Sequence, residues 1–218
     1  MVLKRVLAIV TIVLVFGGIF LVKSKNKSSS VSAQLINLLK DGDLIFQTST
    51  SNQGLAIQLA TKSPYSHCGI IYKEKGNFYV FEAAGIVEST LLNEWIARGK
   101  NGKFVVKRLK EDKKLLTPAN LIKLKQESRK MLGKTYDLTF EWSDGQMYCS
   151  ELIWKIYKHA LNIEIAPLAK LKTFDLSNPI VKEVTAKRYG KNIPLEEPVI
   201  SPKAIFDSKM LTTVISNP

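Results

Sequence analysis

Apolar residues run without a break from Val6 to Val22, the one such block in the chain, with Lys4 and Arg5 before it and Lys23, Lys25, Lys27 and Ser28 to Ser30 after it. As a helix at about 1.5 Å per residue the block reaches roughly 26 Å, slightly short of the roughly 30 Å hydrocarbon core of a bilayer. Core helices carry an apolar stripe rather than a continuous block, so residues 1–33 read as a targeting segment and linker outside the fold. Two outcomes stay open. Val31-Ser32-Ala33 offers small residues for cleavage before Gln34, and without cleavage the block is a membrane anchor. Lysines flank both ends, so charge does not orient it. Either outcome expects a protein secreted to the cell envelope or held at the membrane, in the periplasm or on the outer face.

From Gln34 onward the pattern changes to short periodic segments, the signature of one globular domain over 34–218. Ala33 to Leu39 has a brief helical pattern. Gly42-Asp43 then turns into Leu44-Ile45-Phe46, a compact strand. Leu55, Ala56, Leu59 and Ala60 give Gln53 to Thr61 helical spacing, stopped by Ser63-Pro64. Tyr65 to Tyr72 and Phe78 to Ala84 are rich in β-favouring side chains around the turn Lys75-Gly76, which predicts a hairpin. Phe104 to Leu109 supplies a further strand. Thr117-Pro118 opens a helix by cap and first-turn proline, and Gly133 closes it. After the loop at Asp144-Gly145, Leu152, Ile153, Ile156 and Ala160 mark one face of a helix from Cys149 to Leu161. A helix from Pro179 to Tyr189 ends at Gly190, and Ser201-Pro202 leads into a last helix or strand.

Composition narrows the function classes. The formal charge is +13, with five of the 32 basic residues and no acidic ones in residues 1–33, leaving +8 on the remainder. That surplus suits an anionic envelope or lipid surface. The basic residues are scattered, with no aromatic platform among them, and a nucleic-acid partner is not expected. Two cysteines, Cys68 and Cys149, build no disulfide framework and match no CxxC zinc spacing.

Chemistry enters through the hairpin register. An even loop at Lys75-Gly76 pairs positions whose numbers sum to 151, setting His67 opposite Ala84 and Gly69 opposite Glu82, so that His67 and Glu82 become diagonal neighbours on one face. A carboxylate there can hold one imidazole nitrogen and leave the other to take a proton from a thiol. Cys149 falls in the first turn of its helix, where free N–H groups and the helix dipole favour thiolate. The same N–H groups can face the oxygen of a tetrahedral intermediate.

The segments Gly42-Asp43-Leu44-Ile45-Phe46, Tyr65-Ser66-His67-Cys68-Gly69-Ile70, Phe81-Glu82-Ala83 and Tyr148-Cys149-Ser150-Glu151-Leu152 together resemble the circularly permuted papain-like amidases of the NlpC superfamily, the YiiX-like group. The resemblance spans about Gly42 to Leu161. It implies an α+β, circularly permuted papain-like (NlpC-type) fold with an antiparallel sheet packed against helices, a Cys149-His67-Glu82 catalytic set, no metal and no organic cofactor. The activity it implies is a cysteine amidase or peptidase type of hydrolysis through an acyl-thioester. The expected substrate is a peptide, a peptidoglycan fragment or an N-acyl amide. Permuted relatives that transfer lipid acyl groups usually carry histidine where this chain has Glu82, which favours the amidase branch. A lipid acyltransferase or thiol esterase, and a non-catalytic envelope binding module of the same fold, remain the alternatives.

Tyr65, Tyr148 and Glu151 flank His67 and Cys149 and are the expected substrate-binding residues. Gln146 is a weaker candidate as an oxyanion donor. Cys68 should point to the sheet face opposite His67 and serve packing, and His159, near the end of its helix, is given no chemical role.

Overall fold

The computed structural model describes residues 33–217. The expected apolar segment and its cleavage site lie outside them, and no helix among the described residues is long and apolar enough to cross a membrane. In chain order the elements are α1 (Ala33–Ile36), β1 (Asp43–Gln47), α2 (Asn52–Thr61), β2 (His67–Glu74), β3 (Asn77–Ala84), β4 (Ile86–Leu91), α3 (Leu92–Arg98), β5 (Phe104–Leu109), α4 (Asp112–Leu115), α5 (Pro118–Met131) and α6 (Cys149–Leu161). Then come β6 (Ala169–Lys170), α7 (Pro179–Tyr189), β7 (Pro198–Val199), α8 (Pro202–Phe206) and β8 (Leu211–Asn217). Six strands form one sheet in the order β4-β3-β2-β1-β5-β8, and every pairing in it is antiparallel. The fold is thus α+β, with an antiparallel sheet packed against helices as expected.

The hairpin turns at Lys75 (φ 47°) and Gly76 (φ 87°). Two successive positive φ values match the right-handed twist of the flanking strands. Ile70 pairs with Phe81, Ile71 with Val80 and Tyr72 with Tyr79, the register that the sequence dictates. Side chains alternate between two cores. Leu44, Phe46, Cys68, Ile70, Tyr72 and Phe81 face α6, whereas Ile45, Ile71, Val80, Phe104 and Val106 face α3 with its buried Trp95 and Ile96. Helix α6 lies across β2 and β3 and packs beside α5. Its Leu152, Ile153, Ile156 and Tyr157 are fully buried, each contributing about 1.5 to 3 kcal/mol of apolar burial.

Segment 86–98, which pattern reading leaves unassigned, forms β4 and α3. Its signals are present in the alternation of β4 and in Leu92, Trp95 and Ile96, spaced three and four residues apart on the buried face. Both elements are short, so no window of helical or strand length carries a full period.

Gly69 is required by a close approach. A Cβ there would meet Val80 Cγ1 at 2.3 Å and the Phe81 carbonyl oxygen at 2.8 Å. Because β3 lies this close, Glu82 sits directly over the start of β2. Gly69→Ala is expected to destabilise the protein by about 1 to 3 kcal/mol through overpacking, measured as a lower urea midpoint with an unchanged slope. A midpoint equal to wild type would show that β3 can shift without cost.

Candidate active site

His67 is the first residue of β2 and pairs with Gln47 of β1. Pairing of β2 with β3 ends at Ile70 and Phe81, so the His67 side chain is not locked into a ladder on its outer side. Its Nε2 lies 2.6 Å from Glu82 Oε2. The imidazole stacks on Trp95, with ring centroids 5.7 Å apart and planes inclined by 25°. Its rotation is therefore fixed by a carboxylate on one edge and an indole on one face.

Glu82 is wholly buried, and four groups hold it. His67 and Trp95 Nε1 reach Oε2, the latter at 2.9 Å. Thr90 Oγ1 donates to Oε1 at 2.5 Å, and the Arg98 guanidinium donates to the same oxygen. Burial alone would raise the Glu82 carboxyl, but the His67, Thr90 and Arg98 contacts outweigh it and hold the group below its ordinary value. Sequence reading pairs His67 with Glu82 but misses Thr90, Trp95 and Arg98, since all three lie on elements it leaves unassigned.

Cys149 opens α6, with Tyr148 as the N-cap. The thiol is 2% exposed. Hydrogen bonding from Cys68 is the largest influence on it, then burial, which opposes, then His67; together they bring the Cys149 thiol well below its ordinary value. Burial would depress the His67 imidazole, and the contacts with Cys149 and Glu82 overcome that and push it up to about 9. With Nε2 bound to Glu82, Nδ1 is the nitrogen left for the thiol. The favoured charge state is a thiolate beside an imidazolium.

Cys68 does point to the face opposite His67, as strand alternation requires. That face is where α6 packs, so Cys68 meets Cys149. Its own thiol is pushed well up by burial first and by Cys149 second, which keeps it neutral and able to donate. Strand period gives the face; only the packing of α6 says what lies on it.

The flanking residues divide. Tyr148 lines an apolar cavity beside Cys149, and its hydroxyl accepts the Ile200 N–H at 3.1 Å. Glu151 corrects the expectation of a pocket residue: it is fully buried, accepts the Tyr148 N–H at 3.3 Å and pairs with Lys155 at 2.9 Å. Its task is to cap the helix that carries Cys149, and burial pushes its carboxyl up to about 7 despite Lys155. Tyr65 likewise turns from the cavities to stack on Phe206, with centroids 4.1 Å apart, and belongs to the packing around the core. Gln146 is exposed and bonds Thr135 Oγ1 at 3.0 Å, while His159 sits 3.3 Å from Glu127. Two residues the sequence does not flag stand nearer. Tyr136 lies close enough to Cys149 for the thiolate's charge to act on its phenol, and its hydroxyl accepts from Gln53 Nε2 at 2.8 Å. The phenol proton remains available to donate.

A family model described as permuted papain-like amidase enzyme, YaeF/YiiX, C92 family, matches residues 38–215. The chain is 50% identical over 173 residues to the uncharacterized protein YiiX of Escherichia coli strain K12, a match covering 79% of this chain and 84% of the relative. It is similar to a crystal structure of metalloprotein yiiX from Escherichia coli O157:H7, with a TM-score of 0.78, 50% identity and coverage of 81% of this chain and 97% of the other. Among the described residues of this chain, no three or more His, Cys, Asp or Glu side chains converge to hold a metal ion, whereas a protein-bound zinc needs three or four such ligands.

Proposed function

We propose, from the premise that this chain belongs to the permuted papain-like amidase family of YaeF and YiiX, that Cys149, His67 and Glu82 carry out its chemistry. Family membership supports a cysteine amidase or peptidase type of hydrolase acting on a peptide or amide. In the proposed mechanism the Cys149 thiolate attacks the carbonyl carbon, and N–H groups of the first turn of α6 face the developing oxyanion. As the C–N bond breaks, the His67 imidazolium gives its Nδ1 proton to the leaving amine. Neutral His67 then takes a proton from water, whose oxygen bonds the acyl carbon as the S–C bond breaks. The acid is released and the thiolate returns beside an imidazolium.

The observation that carries this reading is the buried His67–Glu82 contact of 2.6 Å, which leaves the other imidazole nitrogen for Cys149. Envelope or membrane localisation belongs to the same proposal, supported by the apolar block and basic surplus of the sequence.

Labelling with iodoacetamide across pH, read by intact mass, tests the site. Because the Cys149 thiol is lowered, its labelling rate should stay high as pH falls below the ordinary thiol range near 8.5. In His67→Ala the rate should drop toward that of an ordinary buried thiol. Hydrolysis needs the His67 proton, so turnover should fall as pH rises through about 9. A Cys149 that titrates as a free thiol, or is indifferent to His67→Ala, removes the assignment.

A further inference from the structure

Two hollows of opposite character meet at the reacting pair. The first, about 730 Å³ with its open mouth, has Cys149 and Tyr148 on its wall and is otherwise enclosed by apolar side chains of α2 and α7, among them Ala56, Ala60, Val181 and Val184. Its one charged side chain, Arg188, has its guanidinium over the Phe140 ring, 5.1 Å from the centroid. The second hollow contains His67 and is polar, with Ser49, Ser51, Ser66, Thr135 and Arg98 on its walls. Gln53, Ile57 and Tyr136 line both and form the partition.

We propose that the apolar hollow holds the alkyl chain of a long-chain acyl group and the polar hollow holds the amine from which it is cleaved, so that the substrate class is an N-acyl amide with a fatty acyl portion. This rests on the cysteine hydrolase reading above and deepens it. Direction follows from the chemistry. The acyl group remains on Cys149 after the C–N bond breaks, whereas the leaving amine must stand where His67 can give it a proton. The acyl side therefore faces the hollow that Cys149 lines and the leaving side faces the hollow that His67 lines. Chemical class follows from the walls. An extended peptide in the first hollow would bury backbone N–H and C=O groups against side chains that cannot pair with them. An alkyl chain has no such groups, and each methylene it buries improves binding by up to about fourfold.

Alkyl chloromethyl ketones of about four to twelve carbons test this on the full chain without requiring turnover. Attack by Cys149 forms an S–C bond and releases chloride, leaving the alkyl chain on the acyl side. Labelling efficiency should rise by about tenfold or more along the series. Ala60→Trp on α2 and Val184→Trp on α7 should each flatten the rise while iodoacetamide still labels Cys149 at the wild-type rate; two walls are used in case one variant does not fold. A flat series with ready iodoacetamide labelling overturns the acyl pocket and leaves the hydrolase reading standing. So does a full rise retained in both folded variants, or faster labelling by an apolar dipeptidyl chloromethyl ketone than by any alkyl one. Cys149 that reacts with iodoacetamide only after unfolding overturns both readings together.

Discussion

Cys149→Ser is expected to lower hydrolysis of an N-acyl anilide by about a million-fold, the scale on which an acyl-enzyme hydrolase falls when its nucleophile is removed. The fold should persist, because the replacement is nearly isosteric in a site that is 2% exposed. The loss has a physical cause. The surroundings that bring a thiol down from near 8.5 cannot ionise an alcohol, and an unionised hydroxyl beside an imidazolium has no base to take its proton. Cys68→Ser is the companion measurement. Cys68 is held neutral by burial and the adjacent Cys149, so its loss should cost no more than a neutral hydrogen bond to the thiolate, within about tenfold in rate. The reverse ranking of the two variants would make Cys68 the nucleophile.

Glu82→Gln should cost about 10³- to 10⁴-fold in kcat, as expected when the carboxylate that orients a catalytic imidazole becomes an amide. Without the carboxylate, His67 should fall from about 9 toward its ordinary 6.5, and labelling of Cys149 should lose its tolerance of low pH. Glu82→Ala adds a structural cost. The Trp95 N–H and Thr90 hydroxyl would lose their acceptor in a buried site, a destabilisation of about 3 kcal/mol or more; Arg98, partly exposed, can turn to water. The sign of the pH dependence is fixed by the two partners. A histidine raised above 6.5 stabilises the fold fully below that pH and loses the contribution as pH rises through about 9. A carboxylate lowered from 4.5 contributes above that value and loses the contribution on further acidification. The destabilisation by Glu82→Ala, measured by urea titration, should therefore be greatest between about pH 4.5 and 6.5. A pH-independent difference would mean that Glu82 acts through packing alone, and a Glu82→Gln rate within threefold of wild type would mean that Trp95 suffices to orient His67.

Local rules determined a large share of this protein from its sequence. Two residues free of steric objection to positive φ placed the turn at Lys75-Gly76, and with a side-chain period of two that turn fixed the register and brought Glu82 to His67. The caps at Thr117 and Asn178, each followed by proline, began α5 and α7 where the pattern placed them, and α6 begins at Cys149 itself. These are interactions among near neighbours in the chain, and sequence spacing encodes them. What the tertiary structure decided depends on elements far apart in sequence. Trp95 and Arg98 reach Glu82 because α3 folds back under the sheet. Cys68 touches Cys149 because α6 packs on the face where β2 aims it, and Glu151 became a helix cap because that packing buried it beside Lys155. The two hollows exist because α2 and α7, more than a hundred residues apart, enclose one side of Cys149 and leave the side toward His67 open. No periodicity encodes such encounters; they follow from which buried faces find one another when the core closes.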